Sequence, residues 1–486
     1  MNRDVRPHPF IIAALLFVVA LMPRAAFAHG SLKRSEPTAG ASIAQPPRLL
    51  RLEFTEAPEL AFTRVTLIGP DRDTVPLSSL RFAPESRRSV VADVRAATLA
   101  GQYTVIWQMA GADGHPMRGR FSFTVRSASV GATAGDSGAV VGGEAAGHVA
   151  APGQDSPPAA HHPAAADSDG LSFDASSPLY VVIRWVQFIG LLIIFGAIAF
   201  STFVLGRLSQ EGRRRPHTIA WTRHRAARAA LIATALVAVT ALLRLGAQTY
   251  AMHGGRALDF SLVFAMLGRT FWGWGWLAQV AGVLIAGAGF TLAQLDLPKG
   301  WHIATLGACI LAFTPALSGH AISAPSLAPL AVVADAFHVL GAGGWLGSLF
   351  FVVTCGISEA LRVERSERGR AVADLVNAFS PTALVFAGIT ALTGALSAWL
   401  HLGTLPALWQ SAYGQRLVLK LVILSVVAGT GAYNWLRVRP RLGSERGASR
   451  VRRSAAVELA VGVLVLLATA VLVATPTATD VAAMSQ

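Results

Sequence analysis

From Leu179 onward the chain falls into eight apolar segments, near residues 179–206, 227–250, 272–293, 301–318, 327–355, 376–400, 415–436 and 455–475. Each is long enough to cross roughly 30 Å of hydrocarbon as a helix. A lipid interior offers no water to open backbone groups, so runs of this kind must close their hydrogen bonds internally as helices. The pattern dictates an all-α polytopic region of about eight transmembrane helices. The composition of the 486-residue chain, 53% hydrophobic and 14% charged, agrees. Ala257 to Gly268 is too short to span and reads as an extra interfacial helix.

Two unrelated signals orient these spans. At the start of the chain, Arg3 and Arg6 precede an apolar run from Phe10 to Leu21 and the small-residue pattern Ala26-Phe27-Ala28, which reads as a signal peptide over residues 1–28. Export puts the following residues outside, so the first span runs inward and the eighth outward. The loops thereby placed inside carry seven arginines between Arg207 and Arg228, four between Arg362 and Arg370, and seven between Arg437 and Arg453. Outer loops hold only Arg256 and Arg269, as the cytoplasmic excess of basic residues requires. The net charge of +14 therefore records orientation, and nucleic acid is not an expected partner. Cys309 and Cys355 lack the spacing of a thiolate metal site or a disulfide scaffold. No GxxxxGK-type phosphate loop is present, which argues against transport driven by nucleotide hydrolysis.

Residues 29–126 alternate apolar and polar at period two, in Leu50/Leu52/Phe54, Val65/Leu67, Tyr103/Val105/Trp107 and Phe121/Phe123/Val125, with turns such as Gly69-Pro70 between runs. This is the pattern of a small β-sandwich, with Met109 continuing the inward set. Residues 127–175 then turn to Ala, Gly, Ser and Pro and read as a flexible linker, whose His148, His161 and His162 are more often inert than metal-relaying. The membrane region follows over residues 176–476, with an outer tail at 477–486.

Cleavage after Ala28 makes His29 the first mature residue, where a free α-amine and an imidazole offer two nitrogen donors suited to Cu(II). Asp113 and His115 stand two apart just before an alternating strand, so in an extended chain their side chains project the same way and can converge with His29. Three nitrogens and one carboxylate oxygen suit a tetragonal Cu(II) centre. A structural reading stands beside it, because Asp-Gly is common turn chemistry and a mature chain can simply begin with histidine. His29-Gly-Ser-Leu-Lys-Arg-Ser-Glu-Pro-Thr-Ala-Gly40, together with Trp107 through Val125 and its Asp113-Gly-His115-Pro motif, resembles the periplasmic copper-binding CopC family across the whole sandwich. The resemblance implies an all-β, cupredoxin-like or Ig-like sandwich that binds Cu(II) through His29, Asp113 and His115. Some members add a methionine-rich Cu(I) loop. Here Met109 and Met117 are the only methionines of the sandwich, so a separate thioether site is not expected.

In the membrane region Met252 and His253 end the second span, His320 the fourth and His401 the sixth, while Asp335 and His338 share a helical face in the outer half of the fifth. All sit toward the outer surface and form the candidate transport path. An ionisable pair in hydrocarbon is a functional candidate because its burial is costly, although Asp335 and His338 could also lock helices together and terminal histidines could be interfacial. Arg184, Arg244, Arg416, Lys420 and Glu458 are further charges in or near spans; Arg416 and Lys420 are placed to snorkel outward, whereas Arg244 and Glu458 call for partners.

Asp335-Ala-Phe-His338-Val-Leu-Gly-Ala-Gly-Gly-Trp345-Leu-Gly-Ser, Tyr413-Gly-Gln-Arg-Leu-Val-Leu-Lys420, and Asn434 followed by Glu458 resemble the inner-membrane copper resistance family CopD, over roughly residues 180–475. The whole chain resembles a CopC–CopD fusion. That implies a multi-pass protein of the bacterial inner membrane with its N-terminal domain in the periplasm, which binds copper outside and moves it inward in copper resistance or homeostasis. Its expected partners are copper ion, as Cu(II) in the sandwich and in either oxidation state within the membrane, the lipid bilayer, and periplasmic copper carriers. Nothing beyond ligand exchange is needed, so an enzyme is not expected. The alternative is a membrane-anchored copper buffer or metallochaperone that conducts nothing, and a haem-binding electron carrier with axial histidines is a third reading.

Overall fold

The computed structural model describes residues 31–95, 99–111, 114, 116–126, 177–212, 216–253, 259–297, 299–319, 327–438 and 445–479. The expected signal peptide (1–28), the linker with its three histidines (127–175) and the last residues of the expected tail (480–486) lie outside them.

The N-terminal half is built from β1 (Leu32–Glu36), β2 (Ser42–Ile43), β3 (Leu49–Phe54), β4 (Arg64–Ile68), β5 (Thr74–Val75), β6 (Arg81–Ala83), β7 (Ser86–Asp93), β8 (Gly101–Ala110) and β9 (Pro116–Val125). These form a four-stranded sheet, β1-β3-β7-β6, and a five-stranded sheet, β2-β9-β8-β4-β5. The period-two sets face one another between the sheets: Leu50, Leu52 and Phe54 from one, and Tyr103, Val105, Trp107, Phe123 and Val125 from the other, join a single buried cluster. Met109 belongs to it and is fully buried. The ring of Phe54 meets that of Trp107 edge-on at 5.4 Å, and Tyr103 stacks on Phe123 at 5.4 Å.

Among the described residues, eight helices are long and apolar enough to cross a membrane: Pro178–Gln210, His217–Met252, Phe271–Gln294, Gly300–Leu317, Ala328–Ala360, Arg365–Leu402, Ala412–Arg437 and Val451–Val473. They are the eight expected spans, several extended at their arginine-bearing ends. Hydropathy marks only the stretch that lies in hydrocarbon, while arginine and glutamate are good helix formers and carry the same helix onward into water. Between the second and third spans, Phe260–Arg269 forms the short helix, with the Asp259 carboxylate accepting from Ser261 N at 3.0 Å as its cap. The first and fifth spans meet at Gly196 and Gly347, where a Cβ on Gly347 would lie 2.1 Å from the Leu192 carbonyl. Such backbone-to-backbone contact is how helices associate without a hydrophobic driving force between them. Leu284, Leu384 and Leu392 stay exposed on the outside of the bundle, as lipid-facing side chains do.

Candidate functional site

The hairpin that carries the Asp-Gly-His motif is fixed by its strands. β8 and β9 pair without interruption from Gly101 opposite Val125 to Ala110 opposite Pro116, so residues 111–115 are the connection. Gly114 sits there at φ +77°, a left-handed conformation that glycine adopts without strain. The start of the described chain is tied to the same place. Ser31 N donates to Thr55 Oγ1 at 2.8 Å and Thr55 N donates back to the Ser31 carbonyl at 2.9 Å. The next residue, Glu56, lays its carboxylate directly against Gly111, and Glu59 N donates to the Ala110 carbonyl at 2.9 Å. His29, Asp113 and His115 themselves lie outside the described residues; Ser31, two residues past His29, is linked through Thr55 and Glu56 to the connection in which the other two fall. Glu56 is a second carboxylate at the connection that sequence reasoning missed, because it follows its strand with no motif around it.

This end of the sandwich rests on the bundle. Gln248 Nε2 donates to the Gly114 carbonyl at 2.9 Å, Gln108 Nε2 to the Met252 carbonyl at 3.0 Å, and Arg118 Nη2 to the Ala251 carbonyl at 2.9 Å. Phe62 and Ala110 of the sandwich pack with Met252, Met266 and Trp272 of the bundle in one buried cluster. A Cβ on Gly114 would come within 3.0 Å of Thr270, so glycine here serves the contact as well as the turn. Met252, expected on the path, is therefore directly beneath the hairpin. Met266 joins it from the short helix, where a lone methionine in an apolar run gives no signal. His253 ends the second helix, but its side chain, like the whole of His320, lies outside the described residues.

Deeper in the bundle the polar side chains gather in two groups. Spans one to four supply the first: Arg244 Nη1 donates to Gln187 Oε1 at 3.2 Å and to Gln279 Oε1 at 3.3 Å, and its Nη2 donates to Ser318 Oγ at 3.0 Å. These are the partners the sequence could not name for Arg244. Arg184 lies over the Tyr180 ring at 4.4 Å, and both arginines are within electrostatic reach of the Tyr180 hydroxyl. Spans five to seven supply the second group. His338 Nδ1 lies 3.0 Å from the Thr390 carbonyl, and His401 Nδ1 lies 2.7 Å from the Ser397 carbonyl. A carbonyl can only accept, so Nδ1 is a donor in each ring, which leaves Nε2 as the nitrogen that a neutral imidazole would offer to a metal. Orientation of this kind is the usual second support of a metal-ligating imidazole. Asp335 is within electrostatic reach of His401 and of Lys420. Lys420 therefore engages a neighbouring span, where the sequence had it snorkelling, whereas Arg416 donates to Thr475 Oγ1. Glu458 accepts from Asn434 Nδ2 at 3.3 Å. Among the described residues no three His, Cys, Asp or Glu side chains gather as a ready metal-binding group.

Residues 32–126 match the family described as the CopC domain, residues 174–328 the copper resistance protein D-like N-terminal domain, and residues 373–472 copper resistance protein D. Copper resistance protein C of Escherichia coli is 30% identical over 107 residues, which are 21% of this chain and 84% of that one. The chain is a CopC–CopD fusion. Copper transport protein CutJ of Bacillus subtilis is similar along almost the whole length, 23% identical over 473 residues that make up 96% of this chain and 77% of the relative. Among solved structures, PcoC, a methionine rich copper resistance protein from Escherichia coli, is 29% identical and covers 20% of this chain and 100% of its own, with a TM-score of 0.19. The first polar group and the docking contacts belong to the part of the CopD half matched by its N-terminal domain, and His401 and Lys420 to the part matched by copper resistance protein D. The glutamines Gln187, Gln248 and Gln279 were missed in the sequence, although an amide deep in an apolar span is itself a signal that a partner is near.

Proposed function

We propose that the CopC half captures Cu(II) on the periplasmic side of the inner membrane through His29, Asp113 and His115, and that the CopD half receives it at the docked hairpin and carries it across. The observation that carries this reading is the hydrogen bond from Gln248 to the Gly114 carbonyl, because Gly114 stands between two of the candidate ligands and Met252 lies one turn beyond Gln248 on the acceptor helix. Donor and acceptor are thus in contact, and the chain between them keeps the donor's effective concentration on the order of millimolar even when it undocks. Copper is cargo in this scheme. It passes by ligand exchange from the sandwich to Met252 and His253, and inward past His320, His401, Asp335 and His338, where His338 and His401 are each oriented through Nδ1 and would ligate through Nε2. Periplasmic copper carriers would load the sandwich, and the outcome is control of the copper content of the cell.

Radioactive copper uptake into oriented vesicles, with and without a reductant, tests the proposal. Wild type is expected to accumulate copper and the Asp335→Ala/His338→Ala variant to lose most of that accumulation. Equal accumulation by the two would remove the pair from the path and leave a membrane-anchored buffer as the better account.

A further inference from the structure

The first polar group has a property that copper handling does not use. Arg244 is 4% exposed and Gln279 1% exposed, and each keeps a donor with nothing to donate to: Arg244 Nε and Gln279 Nε2. The amide assignment is secure, because Gln279 Oε1 is the atom that accepts from Arg244 Nη1. The hydrogen-bond partners the structure gives Arg244 are neutral side chains, Gln187, Gln279 and Ser318, with the Tyr180 hydroxyl within electrostatic reach. Arg184 adds a second guanidinium within electrostatic reach of the first. An arginine does not shed its proton, so its charge inside a membrane bundle must be met by something else. Arg244 Nε and Gln279 Nε2 can only donate, so what these two lack is an acceptor. One of the two donors is on a charged guanidinium, which favours a negative acceptor over a neutral one.

We propose that the outer part of the CopD bundle holds a small monovalent anion, of halide or carboxylate size, between Arg244 and Gln279 beneath the docked hairpin. Arg244 Nε–H and the Gln279 amide donate to it, and the Arg244 charge is balanced by it. Trp272 roofs the place, with its ring 5.9 Å from the Arg244 guanidinium carbon. Gln248, one turn outward on the helix that carries Arg244, joins the roof to the Gly114 carbonyl. The proposal stands on these contacts and does not require that copper crosses the membrane. Were copper to cross, the anion would offset a positive charge at the mouth where a cation arrives.

The test uses the full-length protein in detergent at constant ionic strength, with chloride or formate replacing the bulkier anion gluconate. An anion bound by the folded state alone leaves the unfolding midpoint unchanged well below its Kd and raises it with the logarithm of concentration above it, and a rise of about 2 °C or more is expected. The arm in which the rise sets in at the lower concentration tells halide from carboxylate. In parallel, bromide is titrated while tryptophan fluorescence is read, and the difference between wild type and Trp272→Phe isolates a saturable quench of that one ring. Gln279→Leu, which removes one of the two orphaned donors and leaves Arg244 in place, should raise the half-saturating concentration at least tenfold. If Gln279→Leu does not fold, the comparison of wild type with Trp272→Phe decides alone. A midpoint indifferent to both anions together with no saturable quench of Trp272, or a Gln279→Leu response identical to wild type, would overturn the proposal and leave water as the missing acceptor.

Discussion

Replacing Gln248 by leucine should loosen the sandwich from the bundle by an amount that can be worked out from one hydrogen bond. In the docked state Gln248 Nε2 donates to the Gly114 carbonyl at 2.9 Å, and both residues are buried there. Undocked, the carbonyl faces water and needs no protein partner. Gln248→Leu therefore penalises only the docked state, by the cost of a buried carbonyl left unpaired, about 1–3 kcal/mol. At room temperature that is a change of roughly 5-fold to 150-fold in the docking equilibrium. The two other anchors, from Gln108 to the Met252 carbonyl and from Arg118 to the Ala251 carbonyl, together with the apolar contact of Phe62 and Ala110 with Met252, Met266 and Trp272, are untouched, so docking is weakened without being abolished. Amide hydrogen exchange followed by mass spectrometry reads the change directly, because protection lost through local opening scales with the opening equilibrium. Peptides covering the β8–β9 hairpin and the outer end of the second span should exchange faster by that factor, with exchange in the sandwich core unchanged. Unaltered protection at both places in folded Gln248→Leu protein would refute the docking argument.

Three further outcomes are expected. Trp107→Ala removes the ring that meets Phe54 in the sandwich core and should cost about 3–5 kcal/mol, seen as a lowered midpoint of the sandwich transition in denaturant with the bundle transition in place. One alanine inserted ahead of His29 moves the α-amine away while keeping the imidazole, and should weaken Cu(II) binding by about tenfold or more in a competition titration; unchanged affinity would remove the amine from the proposed ligand set. On the surface, Arg81 donates to both Asp93 oxygens, at 2.6 and 3.0 Å, and these hydrogen bonds hold the Asp93 carboxyl below the usual carboxylate range. A depressed carboxyl contributes stability that is present above its unfolded value, near pH 4, and is lost as pH falls through the folded one, so the small difference between wild type and Arg81→Ala in thermal melts should shrink to nothing on acidification below about pH 4.

The sandwich and the spans were legible because each is written in a periodicity that the solvent enforces. Leu50, Leu52 and Phe54 could be assigned to the core from spacing alone, and a run such as 272–293 could be nothing but a helix in lipid. What escaped was whatever depends on two distant segments meeting. Arg244 was visible as a charge that needed partners, yet Gln187, Gln279 and Ser318 come from three other spans, and no local pattern says which amide faces which guanidinium. Lys420 was read as reaching outward from its span because length and charge permit it, whereas its electrostatic partner Asp335 lies on another helix. The docking of the hairpin escaped for the same reason: Gly114 reads as half of a turn, and only the structure adds that Thr270 and Trp272 would crowd a side chain there.

The two polar groups of the bundle differ in a way that assigns them different work. Beneath the hairpin, Arg244, Arg184 and the orphaned amide of Gln279 present hydrogen-bond donors and positive charge, which repel a copper ion and cannot ligate it. Across spans five to seven stand the imidazoles of His338 and His401 and the carboxyl group of Asp335, residue types that ligate copper. If the bundle conducts copper as proposed, reception of the sandwich and passage of the ion should therefore be separable by mutation. Asp335→Ala/His338→Ala is expected to lower copper uptake into vesicles while leaving hydrogen exchange of the hairpin as in wild type, because none of its lost contacts reaches the second span. Gln248→Leu is expected to speed exchange at the hairpin and to slow uptake mainly when copper is scarce, since undocking lowers the occupancy of the transfer complex and leaves the spans intact. If Asp335→Ala/His338→Ala instead released the hairpin, the two groups would be parts of one coupled element, and the division between receiving and conducting halves would have to be given up.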